Sequence, residues 1–511
     1  MKRVSVGFGN AIGFLLCLWG CNTSPWLART SEVTSQVSPS PTSSKPRVAL
    51  LPSEQADLSE LGDAPRYWIQ LEIDYPAYTF RGSSRLEYTN NEDISLDAIY
   101  LRLFPNGKSS YGDGSLFVTR VMVGGQSANL ELSSSDTVLE VSLPAALNPG
   151  QSVQLEFEFS GVVPKDFGGS TTPDGYGIYN FSDGVLALSG WYPILAVYDE
   201  KGWNLNPISA IGDSVFSDIA FYSVELTVPR ELLVAATGVQ IGRQISGEIA
   251  HWQLESGPAR DFFIIASPDF KVTSQVVEGT TVNAFYLPGD DSAGSRALEV
   301  ATESLQIFNK KFGPYPYTEL DLVEAPLRNA LGVEFPGIFL VGDSLYASPG
   351  KPEFEVTIAH EVAHQWWYNV VGNDIFGEPW LDEALATYSS SLFYEFGAGS
   401  AYLEGLTGYW QDRYDQLLQD GNDDLITQNM AHFESLENPR IYGGVVYVKG
   451  ALFFKALRKE IGDKAFFNAL QNYYQAEHYQ NATSDDLLNA FEESSSRQLD
   501  AFYQEWLYSK K

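Results

Sequence analysis

Between about residues 60 and 270, apolar and polar residues alternate with a period of two. In RYWIQLEIDY, Ile69, Leu71 and Ile73 alternate with Gln70 and Glu72. In SVQLEFEFSG, Val153, Leu155, Phe157 and Phe159 alternate with Gln154, Glu156 and Glu158, and in YSVELTVP, Val224, Leu226 and Val228 share one side. A strand turns successive side chains to opposite faces, so this pattern, broken by Gly, Asn and Pro turns, predicts an antiparallel β domain with one face buried. No repeat of fixed period is present. After about residue 270 the spacing becomes helical. AGSRALEVATESLQIFNKKFGPYPY predicts a helix stopped at Gly313-Pro314, followed by strand-like ELDLVEAP and LGVEFPGIFLV. Beyond Lys351 the chain reads as mostly helical. One helix is predicted from Pro352 through EVTIAHEVAHQWWYNVV to Gly372, and a second from Pro379 through WLDEALATYSSSLFYEFG to Gly397. The fold class is multidomain α and β: a β-sandwich-like domain at residues 59–270, then a mainly α-helical domain at residues 271–511.

Composition narrows the class. At 511 residues the chain is too long for one core. Its 44% hydrophobic and 14% aromatic content fits packed domains. A net charge of −33 repels phosphate backbones and excludes nucleic acid as a partner. The two cysteines, Cys17 and Cys21, both lie at the N-terminus, so any transition metal in the body must use histidine and carboxylate. Lys2 and Arg3 followed by the apolar run Ala11–Trp19 read as an export signal, residues 1–20. The run ends in LWGC, which resembles the lipobox of bacterial lipoproteins and implies a lipid anchor at Cys21; cleavage by the general signal peptidase is the alternative, because Trp19 departs from the pattern. Residues 21–58, rich in Ser, Thr and Pro, are expected to be a tether that buries too little apolar surface to fold.

Candidate chemistry is concentrated in the predicted helices. His360 and His364 are four apart, so one helical face presents both imidazoles to one ion, with Glu361 beside them. This is the H-E-x-x-H arrangement of zinc hydrolases; alone it also describes two core histidines. Glu383 follows after eighteen residues and supplies a third ligand if the two helices lie antiparallel. Two histidines and a carboxylate leave a fourth position open, the mark of a catalytic rather than a structural zinc site. His251, His432 and His478 have no partner at ligand spacing and read as surface or core residues.

HEVAH, eighteen residues, then the glutamate of WLDEALATY resembles the aminopeptidase N family, thermolysin-like zinc aminopeptidases that include leukotriene hydrolase. Asp382 and Ala384 depart from the family's W-L-N-E-G. LGVEFPG stands where the family has G-x-M-E-N, and YVKG matches its Y-x-K-G. FGPYPYTELDLVEAP and TSDDLLNAFEESSSRQLDAFYQEWL extend the resemblance across about residues 60–511. It implies one Zn2+ per chain on His360, His364 and Glu383, with Glu361 as general base and Tyr447 as oxyanion donor. It implies that Glu334 binds the substrate amine, with Gly332 and Tyr442 lining the same site. The expected function is removal of N-terminal residues from peptides by an exported protein of the bacterial cell envelope. The resemblance leads us to expect a short form of the family without its long C-terminal helical domain, and no residue matches the second amine anchor. A broader zinc peptidase or endopeptidase is therefore one alternative, and a non-catalytic peptide-binding lipoprotein on the same fold is another.

Overall fold

The computed structural model describes residues 46–169, 176–212 and 215–511. The export signal, Cys21 and most of the tether lie outside the described residues. The tether's end does not behave as expected. Pro46–Ala49 forms a helical turn, and Leu50, 1% exposed, bridges to Tyr317. Leu51 N–H donates to the Pro316 carbonyl at 2.8 Å. Ala49 and Leu50, within the apolar quartet that closes the Ser/Thr/Pro run, are buried, and that burial offsets the entropy of ordering these few residues.

The N-terminal part is built on an eight-stranded sheet. In spatial order its strands are Val239–Ser246, Ile249–Glu255, Phe221–Pro229, Arg66–Asp74, Thr79–Thr89, Ser152–Val162, Ser115–Val123 and Gln126–Ser127. Tyr67, Ile69, Leu71 and Ile73 are buried, while Gln70 and Glu72 are exposed. One pairing departs from the antiparallel expectation: Arg66–Asp74 runs parallel to Phe221–Pro229, with Ile69 opposite Val224. Parallel neighbours need a long crossover, and the chain between them supplies one four-stranded sheet and two strands of another, all sharing the same core.

A five-stranded sheet follows, in the order Lys271–Val277, Thr280–Tyr286, Glu319–Ala325, Ile338–Gly342, Gly332–Phe335. It separates the two cores, and period-two alternation explains how. Leu320, Leu322, Phe339 and Val341 join the helical core, whereas Val323, Ala325, Ile338 and Leu340 join the core of the β domain. The helix Asp291–Lys311 covers the sheet on the helical side. The helices Pro352–Ala363, Trp380–Phe393 and Gly450–Ile461 pack beyond it around Trp366, Trp367 and Trp380. An extensive β region thus precedes a helical one. Among the described residues, no helix is long and apolar enough to cross a membrane.

Candidate metal centre and active site

Pro352 starts the histidine helix at the position where proline's missing N–H costs nothing, and Glu353 and Glu355 favour its first turn electrostatically. This helix ends at Ala363, not just before Gly372 as the apolar run predicted. His364 caps it. Tyr368 then adopts a positive φ of +131°, which no helix accommodates, and the chain turns back so that Asn369 N–H donates to the His364 carbonyl at 3.0 Å. Glu383 lies in the first turn of Trp380–Phe393, a helix buried along its whole length.

The three predicted ligands meet. His360 Nε2 lies 3.0 Å from His364 Nε2 and 3.2 Å from Glu383 Oε2; His364 Nε2 lies 3.5 Å from the same oxygen. A tetrahedron with zinc–ligand arms of about 2.05 Å has edges of about 3.3 Å, so the triangle fits one face of a zinc site. Buried Glu383 Oε2 faces the two imidazole Nε2 atoms, so a cation seated among the three meets three lone-pair donors. His364 Nδ1 lies 3.0 Å from the Trp367 carbonyl. A carbonyl only accepts, so Nδ1 carries the proton and Nε2 keeps its lone pair for a metal.

The electrostatics agree. Burial opposes charge on His364, but Glu383, Glu361 and Asp382 raise it to about 10. Burial likewise opposes charge on Glu383, yet the two imidazoles hold it well below the usual carboxylate range. Burial and the adjacent Glu383 push Asp382 up to about 7. Without a metal the cluster holds a proton; a divalent cation satisfies the same carboxylates better.

The remaining predicted residues surround this triangle. Glu361 is 4% exposed, and Gly332 packs so closely on its carboxylate that no Cβ fits there. Glu334, on the edge strand Gly332–Phe335, is buried with Oε1 3.8 Å from His364 Nδ1. Tyr447 donates its hydroxyl to Glu383 Oε1, and its ring stacks on His360 at 6.0 Å. It sits in a wide π-type turn, Gly443–Lys449, a distortion frequent at functional sites. Tyr442 stands one layer back, edge-on to Tyr447 at 5.6 Å and to Phe433 at 5.4 Å. The other histidines are elsewhere: His251 bonds Thr227, His432 pairs with Asp424 at 2.8 Å, and His478 lies 3.3 Å from Asp57.

Sequence reasoning missed two supports. Gln365, fully buried, donates from Nε2 to the Phe335 carbonyl at 3.1 Å and accepts Gly337 N–H at 2.9 Å, which registers the Glu334 strand against the histidine helix. Arg260 reaches the turn after His364 from the β domain. An arginine in the apolar stretch ARDFFIIAS was the available signal, since a buried guanidinium must be fully bonded.

Residues 296–506 match the Peptidase family M1 domain. Over 458 residues the chain is 26% identical to Aminopeptidase M1-B of Oryza sativa subsp. japonica, covering 84% of this chain and 50% of that protein. It is 30% identical to Aminopeptidase N of Streptomyces lividans over 224 residues, 41% of this chain and 25% of that one. The chain thus spans about half the length of the plant relatives it matches. An M1 zinc metallopeptidase from Deinococcus radiodurans has the same fold, with TM-score 0.65 and 21% identity over 88% of this chain and 94% of that one. A form of that enzyme bound to a Tyr-Ser-Ala substrate aligns with TM-score 0.63 and 20% identity over 87% of this chain and 94% of that one. The chain thus carries a Peptidase family M1 domain at residues 296–506, is similar in sequence to aminopeptidases beyond that domain, and has the fold of an M1 zinc metallopeptidase.

Proposed function

We propose that this protein is a zinc aminopeptidase that removes residues from the free N-termini of peptides. The observation that carries the reading is the triangle of His360, His364 and Glu383, with the buried Glu383 Oε2 facing both imidazole nitrogens. When bound, zinc supplies Lewis acidity, which polarises the scissile carbonyl and lowers the pKa of water towards about 7. Glu361 takes the proton of the attacking water and returns it to the leaving amine, a transfer that contributes on the order of a hundred- to ten-thousand-fold. The Tyr447 hydroxyl, held within the site, donates to the developing oxyanion. Glu334 accepts a charge-assisted hydrogen bond from the substrate's α-ammonium and so fixes the register at one residue per cut. The Deinococcus enzyme with a bound Tyr-Ser-Ala substrate supports a peptide as the substrate class.

The test is hydrolysis of a panel of aminoacyl amides beside their N-acetylated forms, with zinc measured on the same preparation. One zinc per chain and cleavage of the free-amine forms alone are expected. Cleavage of the blocked forms too would replace the aminopeptidase with a broader peptidase, and no zinc after supplementation would end the metal reading.

The location is proposed on the leader alone: export, and anchoring of the envelope protein through lipidated Cys21, on the basis of Lys2, Arg3, the run Ala11–Trp19 and LWGC. Radiolabelled fatty acid is expected in the wild-type protein and not in Cys21→Ala; equal labelling of both would refute the anchor.

A further inference from the structure

The turn after His364 is held by a side chain from the other domain. Arg260 is 3% exposed, and its own carbonyl accepts hydrogen bonds from the hydroxyls of Ser217 and Tyr222, so its backbone is fixed within the β domain. Its Nε donates to the carbonyls of Tyr368 at 2.6 Å and Asn369 at 3.1 Å. Its Nη2 donates to the Gln480 carbonyl at 2.7 Å, and its Nη1 to the Ser217 carbonyl at 3.1 Å and to the Asn481 side chain. Gly372 leaves the room this requires, because a Cβ there would run into the guanidinium.

The residue being held is under strain. Tyr368 has a φ of +131°, which costs a side-chain-bearing residue about 1–3 kcal/mol and persists only because its surroundings impose it. Both flanking peptide groups touch His364. The Trp367 carbonyl lies 3.0 Å from Nδ1, and Asn369 N–H lies 3.0 Å from the His364 carbonyl. If Tyr368 relaxed, the Trp367 carbonyl would swing away from the nitrogen whose proton it fixes.

We propose that Arg260 is a positioning residue through which the β domain holds Tyr368 in its strained conformation, aiming the Trp367 carbonyl at His364 and presetting that imidazole for a divalent cation. The inference rests on the zinc reading above. It also makes the β domain part of the metal site's support, not merely a neighbour.

The experiment is a double-mutant cycle on Arg260→Met and Tyr368→Gly, read as the rate at which folded, zinc-loaded full-length protein yields zinc to a colorimetric chelator. Partners that orient a ligating histidine typically contribute about ten- to a hundredfold in metal affinity, so Arg260→Met is expected to speed release by that factor. Glycine adopts a positive φ without strain. In the Tyr368→Gly background no strain is left for the clamp to hold, and Arg260→Met is expected to change release less than about threefold. Equal acceleration in both backgrounds would show Arg260 to be general domain glue and overturn the proposal, as would no acceleration in either. If Arg260→Met does not fold, Arg260→Lys replaces it, because one ammonium cannot span the two loops. Failure of both to fold would make Arg260 a folding determinant and likewise overturn the proposal. A wild-type protein that takes up no zinc refutes the zinc reading instead, so the two failures are distinct.

Discussion

Gly332→Ala probes how the general base is seated. A Cβ at this position would stand 2.7 Å from Glu361 Cγ and closer still to its carboxylate. Ordinary van der Waals contact begins near 3.4 Å, so one side must retreat by about 0.7 Å or more. Gly332 sits in a strand paired to Val341, which resists movement, and Glu361 is 4% exposed on a packed helix. The carboxylate therefore moves, and by about the distance the catalytic geometry cannot absorb. A misplacement of about 1 Å costs on the order of a hundredfold in rate, or about 2.7 kcal/mol of transition-state stabilisation. Overpacking adds about 1–3 kcal/mol of instability. The three atoms nearest the new methyl all belong to Glu361 and none to a metal ligand, so zinc content should hold at one per chain. The assay is kcat/KM on an aminoacyl amide, with zinc measured on the same sample and unfolding followed in urea. A folded, zinc-loaded Gly332→Ala protein within threefold of wild-type activity would refute the claim that this glycine exists to seat Glu361.

Three further outcomes are expected. Tyr447→Phe should keep its zinc and lose about 3–4 kcal/mol of transition-state stabilisation in kcat; an unchanged kcat would remove the hydroxyl from the reaction. Glu334→Ala should weaken free-amine substrates far more than N-blocked ones, and equal losses would show that it does not bind the amine. Lys449, with no exposed side-chain surface, donates from Nζ to Asp423 at 2.9 Å and to the Asp424 carbonyl at 2.7 Å. Lys449→Met removes the cation beside buried Asp423, which keeps Lys511 N–H at 2.7 Å and the Tyr414 hydroxyl at 3.5 Å, and should cost about 3–5 kcal/mol in denaturant unfolding; a loss below about 1 kcal/mol would mean that those two donors suffice.

The sequence by itself determined what depends on local period and on spacing. Alternation in RYWIQLEIDY sends Ile69 and Leu71 inward whatever the sheet order, because a strand has only two faces. A four-residue step puts His360 and His364 on one side of a helix, and eighteen residues are enough for a turn and a second helix that returns Glu383. Features that depend on groups far apart in the chain emerge only once it is folded. The run HQWWYNVV reads as continued helix, but Arg260 bonds the carbonyls of Tyr368 and Asn369 more than a hundred positions away, and the helix stops at Ala363. The parallel pairing of Arg66–Asp74 with Phe221–Pro229 and the docking of Leu50 beside Tyr317 are likewise long-range matches of surface. Gly332 is an ordinary glycine in sequence; its role appears only when the edge strand lies against Glu361. Local periodicity is written into each residue's stereochemistry. Which strained turn survives and which carboxylate faces both imidazoles are set by the sum of contacts across both domains, and no short stretch of the chain contains that sum.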